Sequence, residues 1–230
     1  MKLSARFKEC EECSQKEINV GVSLEVGLCK KCRVITQSYQ RYYESNIPVE
    51  YWDLKMEKDF VGYQGLLDKY NEYISDLKSV YYNGTSICFA GSHGLGKTMT
   101  ITCILKRAAL KGYTCGYSTL SDIVSVLTAA DSEEKFMARK ELIMVDFLAI
   151  DEFDSRFIST ENAADLYART LEGVFRTRSQ NKLPTLMATN SPNVIETFSG
   201  SLKQSLSSLM HGYLKIYPVL GEDFRKKKAE

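Results

Sequence analysis

This chain of 230 residues has no long apolar run, no apolar N-terminal segment and almost no net charge. Because no run approaches the ~20 apolar residues of a transmembrane helix, we expect no membrane span. The first ten residues, MKLSARFKEC, lack the apolar core of a signal peptide, which predicts a protein of the reducing cytoplasm. The net charge of +1 gives no overall argument for nucleic acid, so any such contact must come from a local patch.

Without a secretory context, the seven cysteines are expected to be thiols or metal ligands rather than disulfides. Four of them form the pattern C-x2-C-x15-C-x2-C, namely Cys10, Cys13, Cys29 and Cys32. Each C-x-x-C pair offers two thiolates from one tight turn, and two pairs complete a tetrahedral structural zinc site. Four unrelated free thiols are the alternative. The remaining cysteines lie in apolar surroundings that predict core positions: Cys88, Cys103 and Cys115.

A glycine-rich segment in the middle of the sequence satisfies the phosphate-loop pattern G-x-x-x-x-G-K-[ST]. The apolar residues 87–90 before it predict a buried strand, and residues 99–110 after it predict a helix. Glycines let backbone N–H groups point at a polyphosphate, and the helix adds the positive end of its dipole. We therefore expect Lys97 to reach the β- and γ-phosphates and Thr98 to bind Mg²⁺; an ordinary glycine turn is the alternative. The predicted nucleotide contacts are Gly91, Ser92, His93, Gly94, Leu95, Gly96, Lys97, Thr98 and Met99.

Two later apolar stretches end in polar residues suited to phosphate chemistry. Residues 145–150 are followed by Asp151 and Glu152, at the carboxyl end of a predicted strand, where ligands bind in open α/β folds. We expect Asp151 to hold Mg²⁺, directly or through water, and Glu152 to deprotonate the water that attacks the γ-phosphate. The stretch 183–190 ends in Asn190, which either bonds the γ-phosphate or the attacking water, or is a turn residue.

These patterns predict an α/β fold in three parts: a zinc-binding module at residues 1–47, a linker with a leading helix at 48–80, and a nucleotide-binding domain at 81–230. The Ile47-Pro48 pair marks the first boundary because the residue before a proline rarely stays helical. The other predicted helices cover residues 33–46, 60–80, 120–127, 133–144, 160–180 and 202–210. The other predicted strands cover residues 113–117 and 213–217.

Aromatic side chains with interleaved arginines crowd the linker region. They are Tyr39, Tyr42, Tyr43, Tyr51 and Trp52, with Arg33 and Arg41 among them. Such rings stack nucleic-acid bases or bind partner proteins, but packing of the linker onto the domain is the favoured interpretation. The basic residues between positions 135 and 140 are interpreted as a solvated helix face.

Taken together, the motifs resemble the DnaC/DnaI-type replicative helicase loaders, a branch of the AAA+ ATPases that also includes the IstB transposition helpers. The resemblance covers essentially the whole chain and is most specific in residues 91–98, 121–127, 146–153 and 221–225. It implies an AAA+ P-loop domain without a C-terminal helical lid. It also implies that Asn190 is the sensor-1 residue, that Arg225 lies near the nucleotide, and that residues 122–144 are a helical insertion contacting neighbouring subunits and single-stranded DNA.

The same resemblance implies partners and a reaction. The zinc module would grip a hexameric replicative helicase, ATP-bound subunits would assemble on single-stranded DNA, and slow hydrolysis to ADP and phosphate would release the loader. Two alternatives stay open: an IstB-like transposition helper that polymerises on duplex DNA, and an adaptor that binds nucleotide with little hydrolysis. The zinc module favours the loader.

One departure concerns the arginine that loaders usually supply to a neighbouring subunit's nucleotide from a short helix after sensor 1. The matching stretch here, residues 205–211, contains no arginine. The remaining basic candidates are Arg176, Arg178, Lys203 and Arg225. Without such a residue, turnover is expected to be slow, with ATP serving as an assembly switch.

Overall fold

The computed structural model describes residues 7–9, 16–18, 30–129, 131–154, 161–194, 203–204, 207–208 and 212–223. Its helices are α1 (Lys30–Glu44), α2 (Met56–Asp59), α3 (Gln64–Ser75), α4 (Leu77–Asn83), α5 (Lys97–Leu110), α6 (Leu120–Ala129), α7 (Ser132–Met144) and α8 (Glu161–Gln180), with a 3-10 turn at Val49–Tyr51. Its strands are β1 (Phe7–Glu9), β2 (Lys16–Ile18), β3 (Ser86–Ala90), β4 (Cys115–Thr119), β5 (Phe147–Asp151), β6 (Thr185–Thr189) and β7 (Leu214–Pro218).

Strands β3 to β7 form a parallel sheet in the order β4-β5-β6-β3-β7. Ala90 pairs with Thr189 on one side and with Pro218 on the other, while Thr119 pairs with Asp151. The carboxyl ends of the five strands therefore share one edge of the sheet. This confirms the predicted α/β fold and brings the polar residues after β3, β5 and β6 to the same place.

Both faces of the sheet are buried, which explains why its central strands are continuously apolar. Alternate residues point to opposite faces, so Phe89 joins the core beneath α5 while Cys88 joins the core beneath α6 and α8. Helix α5 is enclosed on almost every side, and only Thr98, Arg107 and Leu110 of its residues escape burial. The three cysteines predicted to lie in the core are all buried.

The single helix predicted for residues 60–80 is instead two helices, α3 and α4, separated at Asp76. Asp76 leaves the helical conformation, with φ −135°, and its carboxylate accepts a hydrogen bond of 2.9 Å from the Ser79 N–H. An aspartate that caps a new helix competes with continuation of the old one, which accounts for the break. Leu66 and Tyr70 of α3 and Leu77 of α4 are all buried, so both helices pack on the core.

Helix α1 packs its C-terminal half onto the sheet domain. Tyr42 is buried, Arg41 Nη1 donates to the Ala109 carbonyl (2.6 Å), and the Ser45 carbonyl accepts from the Tyr117 N–H (2.9 Å). The predicted domain boundary at residue 47 stays a prediction, but these contacts join the preceding turn of α1 to α5 and β4. The antiparallel pair of β1 and β2 was not predicted from the sequence.

The aromatic residues of the linker support the packing interpretation. Trp52 lies against Tyr39 and Tyr42, with ring centroids 5.3 and 6.3 Å away, and its indole N–H donates to the Ile47 carbonyl. Tyr51 packs against the same core. Tyr43 is the exception, because its side chain is 74% exposed.

Several predicted features lie outside the described residues. They are Cys10, Cys13, Cys29, Arg225, residues 159–160 at the start of the predicted helix 160–180, and most of the stretch 202–211. Of the predicted zinc ligands, Cys32 alone belongs to a described element, α1. In the part of the chain that the structure describes, no cluster of three His, Cys, Asp or Glu side chains is arranged to hold a metal ion. No described helix combines the length and apolar character needed to cross a membrane.

Candidate nucleotide-binding site

The glycine-rich loop leads directly from the buried strand β3 into the N-terminus of α5. Gly94 and Gly96 have φ angles of 72° and 84°, a left-handed conformation that costs glycine little. Gly96 is also the N-cap residue of α5. The predicted order of strand, loop and helix is confirmed, and it places the N-terminus of a helix at the loop, where an anion is favoured.

Lys97 is the first residue of α5 and is only 5% exposed. Its ammonium group donates a hydrogen bond of 2.6 Å to the Ser92 carbonyl, so the side chain folds back over its own loop. A phosphate oxygen is a charged and therefore stronger acceptor than a carbonyl. The lysine is thus already positioned to exchange this bond for one to a bound phosphate.

The two acids at the end of β5 differ in burial and backbone conformation. Asp151 is buried, whereas Glu152 is exposed and has φ 50°. Few residues with a side chain adopt this left-handed region, and such outliers cluster at functional sites. One Asp151 oxygen accepts the Glu152 N–H at 2.8 Å, which fixes the turn between the two acids.

Tyr117 of β4 holds the other oxygen of Asp151 and was missed by sequence analysis. Its hydroxyl donates to Asp151 Oδ2 at 3.0 Å. Burial, followed by the adjacent Asp151 charge, raises the pKa of Tyr117, so the hydroxyl stays a donor through the neutral range. The only available signal is that Tyr117 lies near the carboxyl end of a strand, and the neighbour of that strand is not apparent from sequence.

Asn190 follows β6 and is partly buried. The strand before it is tied to both other parts of the site, because Gly91 N–H donates to the Thr189 carbonyl (3.2 Å) and Phe153 N–H donates to the Ala188 carbonyl (2.9 Å). These bonds place the end of β6 between the loop and the acids. The three predicted elements therefore meet, as their positions on parallel strands indicate.

Loop, acids and Asn190 line one cleft of about 520 Å³, within the size range of small-molecule sites. Five predicted side chains line this cleft: Lys97, Thr98, Asp151, Glu152 and Asn190. Tyr117 and Thr119 of β4 also line the cleft. The linker, which was not expected to take part, contributes five more residues: Pro48, Glu50, Tyr51, Leu54 and Asp59. The cleft is thus continuous from the phosphate loop to the segment that joins α1 to the sheet.

The segment after β7 lies against the phosphate loop. Val219 N–H donates to the Ala90 carbonyl at 2.7 Å, and a Cβ atom on Gly91 would lie 2.3 Å from the Val219 carbonyl oxygen. A Cβ atom on Gly94 would lie 1.8 Å from Asp223 Oδ1. Glycines at these positions therefore provide both the loop conformation and the space for residues 219–223.

Magnesium is compatible with the donors in this cleft. Thr98 contributes a hydroxyl and Asp151 a carboxylate whose orientation is fixed by its two hydrogen bonds. Mg²⁺ prefers oxygen ligands and is usually bound by one or two protein groups together with substrate phosphates and water. A cluster of three protein ligands is therefore not required here.

Two of the basic candidates for a residue supplied to a neighbouring subunit have different surroundings. Arg178 is fully buried, and its guanidinium donates to the carbonyls of Leu142, Val145 and Pro184 at 2.9, 2.9 and 2.7 Å. Because it is buried in this environment, the Arg178 side chain cannot contact a nucleotide bound to a neighbouring subunit. Arg176 is exposed and pairs with Glu172 one helical turn away.

Comparison with known proteins bears on the same part of the chain. Residues 43–185 match the family described as IstB-like ATP-binding protein. The chain belongs to this family. The match to the IstB-like family begins at the end of α1 and includes the linker wall, the phosphate loop and the two acids, whereas Asn190 lies just beyond it.

Among curated proteins, the replicative helicase loader DnaC of Escherichia coli strain K12 is 28% identical over 167 residues, covering 70% of this IstB-like chain and 62% of DnaC. The loader DnaC of Shigella flexneri gives the same values. The chain therefore spans less than two thirds of the length of these relatives.

Solved structures share the fold. A crystal structure of the DnaC helicase loader superimposes with a TM-score of 0.59 and 17% identity, covering 75% of this chain and 100% of that one. AMPPCP-bound DnaA from Aquifex aeolicus gives a TM-score of 0.56 and 21% identity, covering 70% and 48%. At such identities the similarity shows the fold alone, and it agrees with the predicted α/β fold with a parallel sheet.

Proposed function

We propose that this chain is an ATP-dependent loader that places a replicative DNA helicase on single-stranded DNA when replication begins. The observation that carries the proposal is the 28% identity to the loader DnaC over 167 residues. The cleft supports it, because a phosphate loop, two acids and Asn190 at the ends of three adjacent strands are the parts that ATP hydrolysis requires.

In the proposed reaction, Lys97 and the N–H groups at the start of α5 bind the β- and γ-phosphates of ATP. Glu152 takes a proton from a water molecule, whose oxygen attacks the γ-phosphorus opposite the bridging oxygen of the β-phosphate. The bond to that oxygen breaks, ADP leaves and phosphate forms. Asn190 holds the γ-phosphate or the water. Mg²⁺, held by Thr98 and Asp151, would offset negative charge on the phosphates.

The assembly of ATP-bound copies is proposed to use the helical insertion. None of the residues of α7 is buried, and three large apolar side chains are well exposed, at 65% for Phe136, 57% for Met137 and 64% for Met144. Exposed apolar groups of this size in one element are typical of surfaces that bind a partner. Lys140 and Arg139 add positive charge to the same helix, which suits a nearby DNA strand.

Two other functions are weighed against the loader. Membership of the IstB-like family supports a transposition helper that assembles on duplex DNA. The lack of an arginine in residues 205–211 favours an adaptor that binds ATP and hydrolyses little. Hydrolysis rates measured without DNA, with single-stranded DNA and with duplex DNA separate the three possibilities. Cytoplasmic location, zinc and the contact of residues 1–47 with the helicase remain predictions of this proposal.

The decisive experiment mixes the purified protein with a candidate hexameric helicase and measures the mass by size-exclusion chromatography with light scattering. The chain of 230 residues is compared with one lacking residues 1–29, because Tyr42 and Ser45 of the following segment pack on the domain. We expect an ATP-dependent complex that needs residues 1–29 and is lost in Lys97→Ala. No complex, with filaments on duplex DNA instead, would replace the loader by the transposition helper.

A further inference from the structure

Lys106 is a buried cation in the middle of the domain, with a relative exposure of 6%. Its ammonium group donates to three backbone carbonyls of the linker, those of Tyr51 (2.5 Å), Trp52 (3.2 Å) and Leu54. The Tyr42 ring completes the environment, with its centroid 5.9 Å from the same nitrogen. Burial lowers the pKa of Lys106. The three carbonyls replace the water molecules that would otherwise solvate the ammonium group.

The three carbonyls belong to a short turn that has little regular structure. The 3-10 turn ends at Tyr51 and α2 begins at Met56, so residues 52–55 lie in neither a helix nor a strand. Carbonyls of residues 51, 52 and 54 reach one nitrogen only if the backbone curls around it. The hydrogen bonds to the Lys106 ammonium group therefore stabilise the conformation of residues 51–54, of which residues 52–54 belong to no helix or strand.

This curled segment separates two cavities. Tyr51 and Leu54 line the nucleotide cleft, whereas Lys106 lines a smaller cavity of about 200 Å³. Leu54 borders both cavities, so the segment is the partition between them. The backbone of residues 51–54 therefore provides a direct route by which Lys106 affects a ligand in the cleft.

The position of the segment in the cleft indicates which part of ATP it meets. On the proposed function, the phosphates of ATP lie at the phosphate loop and the two acids, which line this cleft. The rest of its lining comes from the linker and from Tyr117 and Thr119 of β4, and we assign base and ribose to the linker part. Its members Pro48, Tyr51 and Leu54 offer the ring and apolar surface that a nucleobase prefers.

We propose that Lys106 is a positioning residue for the nucleoside end of ATP: by holding the carbonyls of residues 51, 52 and 54, it keeps Tyr51 and Leu54 in place as the wall for base and ribose. The inference rests on the proposed binding of ATP. It predicts that Lys106 affects binding of the nucleoside but not of the phosphates, which distinguishes it from Lys97.

The test measures binding of ATP and of inorganic tripolyphosphate by calorimetry. Lys106→Met keeps the length of the side chain but not its charge or donors, Lys106→Gln keeps an amide donor, and Lys111→Met changes an exposed lysine just beyond the end of the same helix. We expect Lys106→Met to bind ATP about tenfold more weakly, equivalent to about 1.4 kcal/mol. Its affinity for tripolyphosphate should stay at the wild-type value, Lys106→Gln should be intermediate, and Lys111→Met should match wild type for both ligands.

Two results for the variants overturn the inference: wild-type affinity for ATP in Lys106→Met, or an equal loss of affinity for ATP and tripolyphosphate. A measurement on the wild-type protein keeps the test independent of folding of the variants. Because only ATP brings a base and ribose to the linker wall, the wild-type protein should bind ATP more tightly than tripolyphosphate. Equal affinities of the wild-type protein for the two ligands also overturn the inference. If the wild-type protein binds neither ligand, the proposed function itself fails.

Discussion

Arg178 and Arg176 show how two neighbouring residues of the same type come to have opposite surroundings. Successive helical residues are turned by about 100°, so positions two apart lie on nearly opposite faces. Arg178 points into the protein and binds the carbonyls at the end of α7 and before β6, whereas Arg176 stays exposed. A sequence pattern identifies both as basic residues near the end of a helix, but only the packing of α7 on α8 shows which one is structural.

Removal of the Arg178 side chain should therefore damage the fold. Arg178→Ala leaves buried carbonyls without a donor, and we expect the free energy of unfolding to fall by about 3 kcal/mol. Arg176→Ala is the matched control, because it removes an exposed pair with Glu172 that is worth about 0.5 kcal/mol or less. Urea unfolding followed by circular dichroism measures both values. Similar small losses in the two variants would show that the buried network contributes little.

The hydrogen bond from Tyr117 to Asp151 gives a second prediction for a single residue, again on the proposal that the cleft hydrolyses ATP. Tyr117→Phe removes the hydroxyl that orients the Asp151 carboxylate. Groups that orient a metal ligand typically change metal affinity or activity by 10- to 100-fold, so we expect phosphate release to slow by about tenfold and to require more Mg²⁺. Tyr82→Phe, at a residue that is 65% exposed, should have no effect. An unchanged Mg²⁺ dependence in Tyr117→Phe would separate Tyr117 from the metal site.

Residues of the candidate site were predictable when their own sequence neighbours carried the signal. The phosphate loop and the acids after an apolar strand are local patterns, and the structure places them together with Asn190 in one cleft. Tyr117 contacts Asp151, which lies 34 positions away in the sequence. Lys106 contacts the Tyr51 carbonyl, which lies 55 positions away. No periodicity encodes those contacts, because they depend on which strand lies beside which and on how the linker folds over α5.

At the level of elements, the loop after β3 and the segment after β7 have to fit each other. Gly94 combines φ 72° with a position directly against the Asp223 carboxylate. Gly112, just after α5, has φ 92° but nothing within 4 Å of a Cβ atom. Substitutions at Gly94 and Gly112 therefore distinguish two destabilising effects. Both force a side chain into a left-handed conformation, but only the one at Gly94 also produces a steric clash with the segment after β7.

Gly94→Ala should therefore abolish ATP binding, since the methyl group displaces either the loop or residues 219–223. Gly112→Ala should bind ATP normally and lose only about 1–2 kcal/mol of stability from backbone strain. Calorimetry with ATP and thermal unfolding of both variants provide the comparison. If Gly94→Ala binds ATP as wild type does, the segment after β7 moves aside without cost. Partial recovery in Gly94→Ala/Asp223→Gly would identify the carboxylate as the obstacle.

Helices and strands with a clear apolar pattern were predictable from the sequence, and those without one were not. Strands β3, β5 and β6 are short apolar runs flanked by polar residues, and the predicted positions agree with the structure to within about two residues. The break at Asp76 was missed because the apolar face of α3 continues into α4, so the periodic signal does not show the cap. Strands β1 and β2 have only three residues each, mostly charged, and give no periodic signal at all.

At the scale of the whole molecule, the candidate nucleotide site and the four cysteines of the predicted zinc site lie in separate parts of the sequence. The residues that line the cleft run from Pro48 to Asn190 and include none of the four. On the proposed function, ATP binding should therefore be independent of the cysteines, while the contact with the helicase should depend on them.

Loss of the predicted zinc site separates the two tasks. We expect one zinc ion per chain by mass spectrometry of the metal content, and none in Cys10→Ser/Cys13→Ser, because two thiolates are too few to complete a tetrahedral site. The variant should bind ATP with wild-type affinity and lose the helicase complex. Glu11→Gln/Glu12→Gln changes the two residues between these cysteines without removing a thiolate and should keep both zinc and the complex. A helicase complex that survives loss of the metal would assign the contact to α1 or to the ATPase domain, and a wild-type chain without zinc would leave the four cysteines as free thiols.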